Sequence, residues 1–177
     1  MEEKKTGIMT GGMMASAIAG LVLAIIGIIR IPLGNRVIVY ALQGALCAFL
    51  IVQGLRHLKD GKRKYLRIAL YIYACIEALR ATLLITIGVN TIVGHVARFL
   101  MIIMACDCVL IAERMDKPEG LKIAISLLIL EIVLYLLFLF GFPGIMLGRL
   151  NRFLPLIGVL IAVGIVLALK TYTTEKK

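Results

Sequence analysis

The chain has 177 residues, 62% of them hydrophobic and only 17% charged, yet its formal net charge is +10. That composition excludes a water-soluble domain. It also excludes a nucleic-acid binder, which needs a folded basic surface with aromatic or groove-reading elements, and no segment here can supply one.

In chain order, six apolar runs predict helices at 8–29, 36–57, 65–87, 91–113, 119–140 and 147–170. Each holds about 22 residues, enough at about 1.5 Å per residue to cross a hydrocarbon core of roughly 30 Å. The expectation is an all-α integral membrane protein: one polytopic domain over 1–177, with six transmembrane helices as three antiparallel hairpins (8–57, 65–113 and 119–170). Lys4 and Lys5 precede the first run as they would a signal peptide. That run is too long for a signal core, and its small-residue triplets (Ala15-Ser16-Ala17, Ala17-Ile18-Ala19) lie inside it, so it reads as a retained span.

Turn residues punctuate the hairpins: Pro32, Gly34 and Asn35 in the first, Gly88 and Asn90 in the second, Gly141, Pro143 and Gly144 in the third. Pro118 opens the fifth helix, where a missing N–H costs little. With Asn151 as N-cap of the sixth helix, Pro155 is its fourth residue and again sacrifices no intrahelical bond. Gly12, Ser16, Gly20 and Ala24 recur every fourth residue in the first helix, as do Gly158 and Ala162 in the last. Such ridges predict close helix contact, within one chain or between copies of it.

Basic residues cluster at alternate ends of the spans. One side holds Lys4, Lys5, the 56–67 connection, Arg114, Lys117, Lys122, Lys170, Lys176 and Lys177; the other holds Arg30, Arg36, Arg149 and Arg152. Because basic loops resist translocation, both termini are expected on the cytoplasmic side of a bacterial or archaeal cytoplasmic membrane. Six residues of one connection (Arg56, Lys59, Lys62, Arg63, Lys64 and Arg67) are candidate contacts for anionic headgroups. Each basic residue near such a surface contributes about 1 kcal/mol.

A weak internal repeat runs through the second and third hairpins. "YLRIAL" at 65–70 is similar to "GLKIAI" at 120–125, "RFL" recurs at 98–100 and 152–154, and Glu77 and Glu131 share the latter offset. In the first hairpin the equivalent positions fall near Val22 and Gln43, so the charges are absent there. That first hairpin, "GLVLAIIGIIRIPLG" followed by "ALQGALCAFLIVQGLRHLK", resembles the Gly-punctuated unit of the HdeD-type acid-resistance membrane proteins. The resemblance implies two-helix repeats, six spans, an inner-membrane location and a stress-associated role, with no reaction and no site residue carried over.

Charges inside apolar runs are the candidate functional residues, because each costs about 2.5–3.5 kcal/mol near mid-bilayer unless it faces protein or water and finds a partner. The stretch "YACIEALRATLL" places Glu77 and Arg80 at i, i+3 on one helix face, with Tyr73 one turn before. Arg98 lies at comparable depth on the next helix, and Glu131 sits among aliphatics with Tyr135 as its only polar neighbour on the same helix. Asp107 is nearer the end of its span, two turns from Arg114. Glu77, Arg80, Arg98, Glu131 and Asp107 are therefore a candidate polar network: either a polar pathway for protons or a neutralised structural unit that sets helix rotation. Two basic groups beside Glu77 call for a second acid, and Glu131 is nearest in depth.

No catalytic, cofactor-binding or metal residue is expected. Cys106 and Cys108 flank Asp107 in "CDC", but residues two apart on a helix face opposite ways and make a poor chelate. "DGKRK" at 60–64 resembles the start of a phosphatidyl-transferase signature whose later residues are missing. Two function classes follow: a structural or stress-associated membrane protein working through lipid or protein partners, with a second copy of the chain among the candidates, or a small transporter or proton-coupled channel. A closed, packed charge cluster favours the first; a hydrated cavity reaching the charges favours the second.

Overall fold

The computed structural model describes residues 2–30, 35–60, 64–86, 92–141 and 153–175. All the regular structure among them is helical: α1 (Glu2–Arg30), α2 (Asn35–Asp60), α3 (Lys64–Thr86), α4 (Ile92–Arg114), α5 (Pro118–Gly141) and α6 (Leu156–Glu175). Three helices are long and apolar enough to cross a membrane, over Thr10–Ile29, Ile92–Arg114 and Pro118–Phe140. Shorter apolar runs occupy Val37–Val52 and Leu156–Thr171. The molecule's exterior is correspondingly apolar, with Ile29, Ile92 and Phe140 each more than three-quarters exposed.

Each helix packs on the next in sequence, and α1 packs on α6, so the bundle closes into a ring. The first-helix ridge makes that closure. A Cβ built on Gly12 would stand 3.1 Å from Leu167 Cδ1 of α6, and one on Gly20 would stand 2.8 Å from Cys47 Sγ of α2 and 3.7 Å from Leu160 Cβ of α6. Across the same seam, a Cβ on Gly164 of α6 would come within 3.2 Å of Ser16 Oγ. These small residues thus pack inside one chain, bringing α1 against α2 and α6 closely enough that side chains interdigitate.

The α4–α5 connection is tightly made. Lys117 N–H donates to the Arg114 carbonyl at 2.9 Å, Gly120 N–H donates to the Lys117 carbonyl at 3.1 Å, and Pro118 is the first helical residue between them. A Cβ on Gly120 would lie 3.0 Å from Met115 Cα, so the start of α5 folds directly over the end of α4. Arg67 of α3 fastens this end from the side: its Nε donates to the Ala112 carbonyl at 3.0 Å and its Nη2 to Asp116 Oδ2 at 3.4 Å. Tyr71 Oη, one turn further along α3, donates to Glu113 Oε1.

One boundary departs from the sequence reading. Helix α6 begins at Leu156, not after Asn151, so Pro155 precedes the helix. Leu156 N–H donates to the Phe153 carbonyl at 3.0 Å and Ile157 N–H to the Leu154 carbonyl at 3.2 Å. The turn through Pro155 therefore supplies acceptors for the first two amides of α6, and Asn151 and Arg152 lie outside the described residues.

Candidate functional site

The buried stripe of α3 runs through Leu66, Ala69, Leu70, Tyr73, Ala74, Ile76, Glu77 and Ala81. Tyr73, Glu77 and Arg80 follow one another at i, i+4 and i+7, so a single face carries a phenol, a carboxyl and a guanidinium into the bundle. The apolar residues of that stripe bury the face, and the polar ones go with it. Tyr73 and Glu77 are fully buried, and only 10% of the Arg80 side chain is exposed.

Inside the bundle these groups meet Glu131, at the middle of α5 and 1% exposed. Arg80 Nη1 donates to Glu77 Oε1 at 2.5 Å and lies 3.6 Å from Glu131 Oε1. Tyr73 Oη donates to Glu131 Oε1 and approaches the Gly158 carbonyl of α6 at 3.4 Å. The two acids related by the internal repeat therefore converge on one guanidinium nitrogen, and a phenol from α3 stitches α5 and α6 to it. Glu77 Oε2 is buried and accepts no hydrogen bond among the described residues.

Gly158 creates the space for this arrangement. A Cβ there would stand 2.7 Å from Glu131 Cδ and 2.8 Å from its Oε1, closer than packed atoms allow. Any side chain at 158 would displace the carboxyl from Tyr73 and Arg80.

Glu77, Arg80 and Glu131 are brought together; Arg98 and Asp107 lie apart from their mutual bonds. Arg98 Nη1 is 3.4 Å from His95 Nδ1 on its own helix. Asp107 faces Ser126 across the α4–α5 seam, while Arg114 Nη1 pairs with Glu119 Oε2 at 2.8 Å instead of turning back to Asp107. The phenol on Glu131 is Tyr73 of α3, not Tyr135 of its own helix. The sequence signal for Tyr73 is its i−4 spacing from Glu77; the role of Gly158 has no local signal, because what it accommodates comes from another helix.

Of the candidate headgroup contacts, only the Arg67 side chain is described, and it is engaged with Ala112 and Asp116 while remaining 46% exposed. The side chains of Arg56, Lys59, Lys62, Arg63 and Lys64 lie outside the described residues. Cys106 is exposed and Cys108 buried, on opposite faces of α4, and no group of three or more metal-binding side chains occurs among the described residues. In comparisons with known proteins, no family model, no curated protein and no solved structure matches the chain.

Proposed function

We propose that this chain is a small six-span membrane protein, three antiparallel hairpins with both termini cytoplasmic, whose role is structural and exercised through lipid or protein partners. The observation that carries the reading is the enclosure of its mid-helix charges: Glu77, Glu131 and Tyr73 are at most 1% exposed and bonded to one another or to Arg80. Charges paired in this way serve helix registration, and they leave α3 with an outer face bearing Ile68 and Ile72 that lipid can cover. That is why α3 counts as a span despite its Glu and Arg. The shorter apolar runs of α2 and α6 count with it, since their helices extend beyond those runs at one end or both. A stress-associated role rests on the resemblance of the first hairpin to the HdeD-type unit.

Purified protein in liposomes loaded with a pH-sensitive dye tests this reading. The scaffold reading expects proton flux equal to that of protein-free liposomes under an imposed gradient. The second reading, a proton-coupled transporter or channel, is favoured by the unsatisfied Glu77 Oε2 beside a second acid. Flux that rises with protein density and falls in Glu131→Gln would displace the scaffold.

A further inference from the structure

We infer that the cluster around Arg80 is a proton-binding site, holding one proton as a constituent part, seated on Glu77 Oε2. The inference concerns the charge carried inside the bundle, and it stands whether the protein is a scaffold or a transporter.

The count of charges leads to it. Two carboxylates and one guanidinium sum to one surplus negative charge, on acids that are at most 1% exposed. A second cation would have to come from an element packed on the cluster. The described side chains of α2, Val37–Val52, bring only Tyr40 and Cys47 as titratable groups. Helix α4 brings the buried Cys108, and it also carries Asp107 against Ser126. Helix α6 offers the Gly158 carbonyl, and its Lys170 is exposed more than three turns away. Arg98 of α4 has its Nη1 3.4 Å from His95 Nδ1, and among the described residues the ion pairs of both acids are with Arg80.

The hydrogen bonds locate the proton. Glu131 Oε1 accepts from Tyr73 Oη and faces Arg80, so it is placed to be the anion. Glu77 Oε1 accepts from Arg80, leaving Oε2 as the buried oxygen without a donor. One proton taken from water onto that oxygen neutralises the carboxyl, keeps Oε1 as an acceptor and brings the cluster to zero net charge. Two repeat-related acids can then occupy one buried site with a single base.

Infrared difference spectra of the full chain in lipid nanodiscs at neutral pH test the inference. Wild type minus Glu77→Gln and wild type minus Glu131→Gln should each show the loss of one protonated-carboxyl band, because either variant leaves one acid balanced by Arg80. Asp107→Asn should leave that band in place. The double variant Glu77→Gln, Arg80→Gln should restore a band, now from Glu131 with no cation beside it. A wild type without the band, or a band that survives both single substitutions, overturns the inference. Wild-type protein carrying carbon-13 in its Glu side chains gives a reading that needs no variant to fold: one buried Glu carboxyl should resonate as protonated, and the absence of any such signal overturns the inference equally.

Discussion

Glu77 and Glu131 depend on the same guanidinium, so the two ends of this interaction are not equivalent. Arg80→Leu leaves two buried acids without a cation and should destabilise the protein by about 3–5 kcal/mol, the range for breaking a buried pair. Glu77→Gln leaves Arg80 with Glu131 3.6 Å away and should cost clearly less. Unfolding titrations in mixed micelles compare the two, and equal losses would mean that Arg80 does not serve both acids. Gly158 makes a second prediction at this scale. Gly158→Ala pushes a methyl group against the Glu131 carboxyl, an overpacking that costs about 1–3 kcal/mol. Glu131→Asp, which withdraws the carboxyl by one methylene, should recover part of that loss. Strict additivity of the two substitutions would separate Gly158 from the site.

Between helices, close approach is concentrated at two places with different chemistry. Where α1 meets α2 and α6 the contact is steric, through Gly12, Gly20 and Gly164. Gly20→Val should wedge α1 away from Cys47, a residue with no exposed surface. The measurable outcome is faster maleimide labelling of Cys47, and an unchanged rate would show that α1 does not seal it. Where α3 meets the end of α4 the contact is polar, in the bonds of Arg67 to the Ala112 carbonyl and to Asp116 of the turn that follows. Arg67→Ala removes the donor to a last-turn carbonyl, so amides in the final turn of α4 should exchange faster while those around Met104 stay protected. Uniform acceleration along α4 would instead mean that Arg67 supports the whole helix. The exposed Arg114–Glu119 pair spans the same turn, and surface pairs of this kind contribute well under about 1 kcal/mol.

For the whole molecule, the closed ring joins the first helix to the last within one chain, which sets it apart from a chain whose end helices pair with another copy. Cysteines placed at positions 12 and 167 of an otherwise cysteine-free protein should cross-link within the monomer, since Gly12 and Leu167 face each other across the α1–α6 seam. A dimer on a non-reducing gel would show that the seam is exchanged between copies. On the proposed six-span reading the two ends of the chain share one side, and a single cysteine at position 62 should label only from the cytoplasmic side. Labelling of intact cells at that position would reverse the proposed orientation.

Composition and the spacing of apolar runs determine by themselves that this chain is helical and membrane-like, because burying so much apolar surface in water without aggregation is not feasible for so small a chain. Local chemistry also places a boundary: Pro118 starts α5 because its fixed φ and missing amide suit a first turn. At the site, the i, i+3 relation of Glu77 and Arg80 is legible because both residues lie on one helix, whose geometry is known in advance. The convergence of Glu131 on the same nitrogen, the Tyr73 bond and the seating of the Glu131 carboxyl against Gly158 are decided only by tertiary structure. Each depends on the rotation of one helix about its axis relative to another, and for helices that are apolar on nearly every face the sequence carries little preference for one rotation. Close packing against neighbours makes that choice, and once it is made the enclosed charges have one another as partners.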